Sequence, residues 1–391
     1  MNSQNTPIHI RLWHHDFWRM AVANLLLTMA VYMLVPTMPV WMMTQQGFSS
    51  LETGVAMGAF GLGLFAFGAF VSYLVQRFRR NHVCIWAASS MAALLGLSYY
   101  LDVQLSFRAE LYMVVIQRFT IGALFGLAQM VLTSTLIIDT CESYQRTEAN
   151  YSAAWFGRFA MSLGPIVGLL LQKYFGFQMV MVAAACVSVL AVVLVMLVHF
   201  PFRAPQDDVP VVCLDRFFLP HGFPLFVNLQ LVTLVVGLLL SLMLSELFFA
   251  MMMVGFLLAL LAQRFVFKDA ELKSEVVTGL VLMGAALLMM LTRTQHIVAY
   301  VAPVFIGFGI GVIGSRFLLF FIKLSRHCQR GTSQSTFMLG WESGIAWGLG
   351  LGLALFKGNQ QSILLTTIVL IIVSLVMYNF THNWFVENKN R

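Results

Sequence analysis

Twelve stretches of about 20 predominantly apolar residues recur along the chain, and a helix of that length spans the ~30 Å hydrocarbon core of a bilayer. The composition agrees, because 60% of the residues are hydrophobic and only 10% are charged. We therefore predict an all-α integral membrane protein with twelve transmembrane helices. The segments are 18–42, 51–75, 83–101, 111–137, 151–172, 178–200, 224–243, 247–267, 276–292, 297–322, 334–356 and 362–384.

The distribution of basic residues predicts the orientation in the membrane. The first apolar segment lacks a small-residue cleavage pattern, so we interpret it as a retained span. An even number of spans places both termini on one side, and Lys and Arg concentrate in cytoplasmic loops. With the termini inside, sixteen basic residues fall in inside segments. We therefore expect a multi-pass protein of a bacterial-type inner membrane with both termini cytoplasmic. The outside loops hold only Arg108, Lys173, Arg293 and Lys357.

Several other classes of site are not indicated. The net charge of +7 comes from basic residues scattered over short loops, which topology and anionic lipids explain without nucleic acid. The five cysteines are widely spaced and predict neither a disulfide framework nor a metal site. The stretch "WHHDFW" (13–18) is better explained as an amphipathic lead-in with Trp13 and Trp18 at the lipid interface. We expect no metal, no cofactor and a monomer surrounded by lipid.

An internal repeat divides the apolar segments into two sets of six. "LVQRFRRNH" after helix 2 matches "LAQRFVFKD" after helix 8, 187 residues later. "QRTEANYSAAWFGR", from Gln145, matches "QRGTSQSTFMLGWE", from Gln329, 184 residues later. These matches favour two six-helix bundles related by a parallel repeat. We expect an N-terminal bundle at 1–200, a cytoplasmic linker at 201–222 and a C-terminal bundle at 223–391.

Three local patterns carry a family resemblance. They are the basic loop "SYLVQRFRRN" (72–81), "RFTIGALFG" (118–126) in helix 4 and "MSLGPIVG" (161–168) in helix 5. With twelve spans, inside termini and a six-plus-six repeat, the chain resembles the major facilitator superfamily of secondary transporters. The resemblance implies that fold, a small-molecule substrate and alternating access, and the helix 4 and helix 5 patterns favour proton-coupled efflux.

The resemblance also implies a gating role for the loop after helix 2. Its basic part is present, but Ser72, Gln76 and Arg79 stand where the family has Gly, Asp and Gly. An amide can hydrogen-bond but cannot form the ion pair ascribed to that Asp. The gating residues implied by the resemblance are Gln76, Arg77, Arg79 and Arg80.

In helix 4 and helix 5 the resemblance points to a membrane arginine and to a Gly-Pro element. The element, associated with antiporters, comprises Gly164, Pro165 and Gly168. The arginine is Arg118. Burying its charge within the membrane costs free energy, so its guanidinium must contact water, a hydrogen-bond acceptor or an anion. One hypothesis gives Arg118 a role in coupling or anion contact. The alternative is a structural arginine bonded to helix carbonyls or to Gln117 and Gln129.

Glu342 interrupts the apolar run "MLGWESGIAWGLGLGLAL" (338–355). At the 184-residue offset its counterpart is Arg158, so equivalent helices carry opposite charges at matching depths, about 10–12 Å from their predicted ends. We expect both side chains to point towards the central cavity or the bundle interface on its cytoplasmic side. Glu342 is then either a proton-carrying or cation-contacting carboxylate, or half of a fixed ion pair with Arg158. The aromatic residues expected around this cavity are Trp155, Phe156, Trp341 and Trp347.

The leading functional hypothesis is a secondary active transporter that moves a small, amphiphilic molecule by alternating access, with proton-coupled efflux as first choice. Import and lipid translocation are alternatives within transport. From another class, the chain could be a membrane receptor or enzyme that transports nothing. The sequence holds no catalytic constellation and its loops leave little room for a ligand-binding domain, so we do not expect an enzyme. Substrate, direction and coupling ion are not encoded in any motif.

Overall fold

The computed structural model describes residues 11–104, 110–200, 209–267 and 270–389. Within these residues, twelve helices are long and apolar enough to cross a membrane, which confirms the predicted number and order. They are α1 (His15–Thr44), α2 (Ser50–Arg77), α3 (Arg80–Val103), α4 (Leu111–Asp139), α5 (Arg146–Phe175), α6 (Phe177–Met196), α7 (Pro220–Leu240), α8 (Glu246–Phe265), α9 (Leu272–Thr292), α10 (Val298–Leu324), α11 (Arg330–Phe356) and α12 (Gln360–Asn388).

Local capping by His14 explains where α1 begins. The Nδ1 atom of His14 accepts a hydrogen bond from the Phe17 backbone N–H at 3.2 Å, and its Nε2 atom lies 2.8 Å from the Thr140 carbonyl. His14 therefore ends the lead-in and satisfies one of the free N–H groups of α1. Trp13 and Trp18 remain 46% exposed beside it, as expected for residues at a lipid interface.

The two halves of the chain use the same helix contacts. In the first half, α1 packs on α5 and α6, α2 packs on α4, and α3 packs on α4 and α6. Adding six to each number gives the packing of the second half, in which α7 contacts α11 and α12, α8 contacts α10, and α9 contacts α10 and α12. Between the bundles, α2 packs on α11 and α8 packs on α5. These are the contacts of two like bundles related by a parallel repeat, while the boundaries 1–200, 201–222 and 223–391 stay a prediction.

Each bundle also carries an ion pair between its third and fourth helices. Arg80 at the start of α3 pairs with Asp139 at the end of α4. In the second bundle, Arg316 on α10 donates to Glu275 on α9 at 2.7 Å, with Glu275 fully buried. The helices are equivalent but the charges are reversed, so the repeat preserves the position of the pair and not its polarity.

One membrane face is bridged by close backbone contact. We call the face with the start of α1 and the end of α12 the terminal face, and the other the opposite face. Near the opposite face, a Cβ atom on Gly54 of α2 would lie 2.5 Å from the Gly350 carbonyl oxygen of α11. Lys173 of α5 donates to Glu246 of α8 at 3.2 Å on the same face. Small residues thus let the two bundles meet backbone to backbone here.

The terminal face is bridged by residues 209–219, which we call the linker segment. Asp215 accepts hydrogen bonds from Ser72 of α2 at 3.3 Å and from Thr332 of α11 at 3.0 Å. Gln76 donates to the Ser72 hydroxyl at 2.7 Å. The carboxylate that joins the two bundles on this face therefore comes from the linker segment, and Gln76 supports it through Ser72.

Gly54→Ala should weaken closure of the opposite face. Its new methyl group meets backbone atoms of α11, which cannot rotate away as a side chain can, and overpacking of this kind costs about 1–3 kcal/mol. We expect a membrane-impermeant maleimide to label a cysteine at Leu349 several-fold faster in Gly54→Ala than in the parent protein. Gly96→Ala is the control, because a Cβ there has no neighbour within 4 Å. Equal labelling in both variants would contradict the role of this contact.

Gln76→Asp should loosen the linker segment. A carboxylate at position 76 would face Asp215 across Ser72, and like charges in contact repel. The readout is the labelling rate of Cys213, whose backbone N–H donates to the Ala69 carbonyl at 3.0 Å, in a background without other cysteines. We expect faster labelling in Gln76→Asp than in Gln76→Asn, which has the same size without the charge. Equal rates would show that charge at this position does not matter.

Candidate functional site

Glu342 lies at the interface of the two bundles. Its side chain is 8% exposed, and its Oε2 atom accepts a hydrogen bond from the Tyr32 hydroxyl at 3.0 Å. Tyr32 is on α1 and Glu342 on α11, so this contact joins the first bundle to the second. Among the described residues, the Glu342 carboxylate forms no other hydrogen bond.

A polar cavity of about 50 Å³ lies on the terminal side of Glu342, and we call it the Arg158 cavity. Its volume suffices for a few water molecules, so a substrate can enter only when the bundles move apart. Helices α1, α4, α5 and α11 supply the walls. The lining residues are Asn24, Thr28, Gln129, Thr133, Ala154, Gly157, Arg158, Gln334, Phe337, Met338, Trp341 and Glu342.

A smaller cavity of about 20 Å³ lies on the other side of Glu342, and we call it the Arg118 cavity. Its walls come from α1, α2, α4 and α11, and Arg118 and Tyr32 are its polar members besides Glu342. Glu342 lines both cavities. The Tyr32–Glu342 hydrogen bond therefore lies at the boundary between the two.

Arg158 reaches across the interface from α5 to the second bundle. Its Nη1 atom donates to the Ser315 hydroxyl of α10 at 2.9 Å. The guanidinium carbon lies 4.6 Å from the ring centre of Trp155 and 5.8 Å from that of Trp341. Aromatic faces attract a guanidinium, so two indoles and one hydroxyl stabilise this charge. No carboxylate among the described residues forms an ion pair with it.

Arg118 is held less firmly. It is 2% exposed, and its guanidinium lies 5.0 Å from the ring centre of Phe60. Its Nε and Nη1 atoms have no hydrogen-bond partner in the part of the chain that the structure describes. The alternative in which Gln117 and Gln129 bond Arg118 is wrong. The amide nitrogens of Gln117 and Gln129 donate to Ser98 and Thr28. The Oε1 atom of Gln129, which could accept a hydrogen bond from Arg118, has no partner among the described residues.

Arg158 and Glu342 occupy equivalent depths and share one cavity. Each is twelve residues from the first residue of its helix, which is about 18 Å by helical rise. This is deeper than predicted, because α5 and α11 begin at Arg146 and Arg330, before the apolar segments start. Among the described residues the two side chains form no ion pair within 4 Å. The fixed pair considered from the sequence is absent from this conformation.

The four predicted aromatic residues divide into two groups. Trp155 and Trp341 flank the guanidinium of Arg158. Phe156 instead contacts Trp18 edge-on at 5.8 Å, because it projects from the side of α5 that meets the start of α1. Trp347 stacks on Phe65 of α2 at 6.0 Å. Of the four, only Trp341 lines a central cavity. The predicted placement of Trp155, Phe156 and Trp347 there is therefore wrong.

The predicted Gly-Pro element lies at the contact of α5 with α1. A Cβ atom on Gly164 would lie 2.8 Å from Cβ of Tyr32, and one on Gly168 would lie 2.4 Å from the Met33 carbonyl oxygen. Pro165 is buried between them. These residues bring α1 close to α5, and thereby position Tyr32 in front of Glu342.

The predicted gating residues lie at the terminal face, outside both cavities. Gln76 bonds Ser72, and Arg80 pairs with Asp139 within the first bundle. Arg77 and Arg79 are exposed. Their contribution is therefore to the contacts of the terminal face and not to the cavity walls.

Some cavity residues were missed in the sequence. Tyr32 in an apolar helix has no pattern that distinguishes an interior position from a lipid-facing one. Thr28 and Gln129 were detectable as polar residues within apolar spans. Thr133 lies in a turn of π-helix at Leu132–Leu136, a distortion often found at functional sites. No pattern in the sequence predicted this turn.

A larger groove of about 360 Å³ lies between α3 and α4. Its wall is apolar except for Ser98, Asp102, Gln117 and Thr120, and Gln117 donates a hydrogen bond to Ser98. Leu97 and Ile116 of this wall are more than half exposed. The groove faces the lipid region, and we do not assign it to transport.

Comparison with known proteins identifies the family. A family model described as Major Facilitator Superfamily matches residues 20–348, and no curated protein sequence matches the chain. A mutant of the nucleoside transporter NupG aligns with a TM-score of 0.65 and 14% identity over 93% of this chain and 100% of its own. The human organic anion transporter MFSD10 aligns with a TM-score of 0.68 and 15% identity over 92% of this chain and 98% of its own. The POT family transporter PepTSo aligns with a TM-score of 0.68 and 11% identity over 94% of this chain and 98% of its own. This chain belongs to the major facilitator superfamily of membrane transporters.

Proposed function

We propose that this protein is a secondary active transporter that moves a small molecule by alternating access and is coupled to protons through Glu342. The observation that carries the proposal is the position of Glu342, buried between the two bundles and bonded to a neutral tyrosine hydroxyl. A carboxylate locked in an ion pair would stay ionised throughout a transport cycle. One held by Tyr32 alone can gain or lose a proton as water reaches it from either side.

The bridges at the two faces support alternating access. The linker segment joins α2 to α11 at the terminal face, and Gly54 meets Gly350 at the opposite face. If one bridge opens while the other holds, the cavities beside Glu342 become accessible from one side at a time. Interconversion of this kind is the rigid-body rocking of one bundle against the other.

Efflux remains the proposed direction, on the resemblance of the Arg118 pattern and the Gly164–Pro165 element to those of proton-coupled exporters. We propose that the terminal face is cytoplasmic, because the basic residues concentrate in its loops. The structural relatives are named for nucleosides, organic anions and the POT family. At 11–15% identity they share the fold with this chain, and they do not select its substrate.

Glu342→Gln tests the coupling role, because glutamine keeps the shape and can accept the Tyr32 hydrogen bond but cannot titrate. We expect proteoliposomes with this variant to lose transport driven by a pH gradient, while exchange of substrate without a gradient continues. The measurement is flux of a radiolabelled substrate under both conditions.

Glu271→Gln provides the matched control, since Glu271 is an exposed carboxylate at the start of α9. It should transport like the parent protein in both assays. Full gradient-driven accumulation by Glu342→Gln would refute the proposed coupling. Loss of exchange as well as gradient-driven flux would assign Glu342 to substrate binding or to folding.

A further inference from the structure

One edge of the Arg158 guanidinium is left without a partner. Nη1 donates to Ser315, whereas Nε and Nη2 are buried and have no hydrogen bond with any residue that the structure describes. These two donors share an edge of the planar group and point in parallel, the arrangement that binds both oxygens of a carboxylate. The side chain is 2% exposed and lines the Arg158 cavity. At Arg118, the partnerless donors are Nε and Nη1, which do not share an edge.

The charge around the two cavities is positive. Arg118 and Arg158 are the basic residues of the described walls, and Glu342 is their single carboxylate. The sum stays positive when Glu342 is ionised and rises when Glu342 is protonated. Charges interact strongly where water is excluded, so the site attracts an anion and repels a cation.

The other residues that line the Arg158 cavity indicate which further groups a bound anion would have. Oε1 of Gln129 and Oε1 of Gln334 are buried acceptors without a donor, and both residues line the Arg158 cavity. A hydroxyl or amino group on the ligand would satisfy them. Phe337 and Trp341 form an aromatic wall, with ring centres 5.7 Å apart. This wall suits an apolar body.

We propose that the Arg158 cavity binds the carboxylate of a small organic anion and that Glu342 is protonated while this anion is bound. The proposal rests on the transport function proposed above and names its substrate class. An ionised Glu342 and an anion in one closed cavity repel each other. A protonated Glu342 removes this repulsion and can donate a hydrogen bond to the ligand.

The groups that face Glu342 are consistent with such a shared site. Tyr32 comes from α1, Arg118 from α4 and Arg158 from α5, while the α2 wall contributes only Met57 and Phe60. No second carboxylate among these groups competes for the proton. The anion and the proton then cross together in one direction. Such co-transport replaces the exchange, and with it the efflux, that the Gly-Pro element suggests, and it favours proton-driven import, the alternative named from the sequence.

Matched probes test the substrate class. Purified protein in detergent is heated with benzoate, phenyllactate, indole-3-acetate or tryptophan, and with the primary amide and the amine that correspond to each. A ligand that binds the folded state raises the melting temperature. We expect at least one carboxylate to stabilise the protein where its amide and amine do not. Stabilisation by the amines, or by no carboxylate beyond its amide, would overturn the proposal.

Arg158 variants test the binding group with the carboxylate that stabilises most. Losing a charge-assisted hydrogen-bonded fork should weaken binding by at least about tenfold in Arg158→Gln. Arg158→Lys keeps the charge without the fork and should bind with intermediate affinity, provided that both variants elute as folded protein. Arg264→Gln, at the exposed end of α8, should bind as the parent does. Undiminished binding by both Arg158 variants would overturn the assignment.

Proton movement tests the role of Glu342. The carboxylate probe is mixed with protein in weak buffer and a pH indicator, between about pH 6 and pH 8, where free carboxylates stay ionised. We expect proton uptake by the parent protein, and no uptake but equal or tighter binding by Glu342→Gln. Proton release, or no proton change in the parent, would overturn the shared site.

The two proposals fail in different ways. If a carboxylate binds through Arg158 with proton uptake but is not moved across proteoliposomes, the transport proposal fails and the binding site stands. If a pH gradient drives flux of an amine or a neutral amide through Glu342, transport stands and the anion site is refuted.

Discussion

The structure depends on one constraint, which is positive charge buried between two bundles with no fixed counter-ion among the residues described. Arg118 and Arg158 lie where a guanidinium is expensive. They are held by aromatic faces and, for Arg158, by one serine hydroxyl. The contacts of Arg158 with Ser315 and Trp341 cross between the bundles. They are weaker than an ion pair with a carboxylate, as the proposed separation of the bundles along this surface requires. A carboxylate fixed in an ion pair with Arg158 would hold the two bundles together more rigidly and would occupy the donors of the guanidinium.

The stability that offsets this cost comes from within the bundles. A Cβ atom on Gly237 of α7 would lie 2.2 Å from the Ile345 carbonyl oxygen of α11, and one on Gly63 of α2 would lie 2.1 Å from the Phe119 carbonyl oxygen of α4. Such backbone contacts allow dense packing where lipid supplies no hydrophobic driving force. Each bundle is therefore tightly packed, while the surface around Glu342 is lined by side chains that can rearrange.

Bilayer thickness explains why so much of the fold could be predicted from the sequence. Spans must be apolar and about 20 residues long, so their number and order followed directly, and the repeat placed Arg158 opposite Glu342. The misses depend on which way a side chain points. A tyrosine such as Tyr32, or an aromatic residue such as Trp347, looks alike in sequence whether it faces a cavity, a neighbouring helix or lipid. The bridge through Asp215 depends on tertiary contacts of the linker segment with α2 and α11. No local pattern in the sequence encodes these contacts.

The π-helical turn at Leu132–Leu136 has a consequence for the direction of the residues that follow it. Asp139 comes 21 residues after Arg118, and at about 100° per residue an unbroken α-helix would point the two within about 60° of each other. One extra residue in a wide turn delays the helical phase by about 100°, which turns Asp139 nearly opposite to Arg118 and towards Arg80. A single added residue thus removes a negative charge from the path between the bundles and makes it a structural partner within one of them.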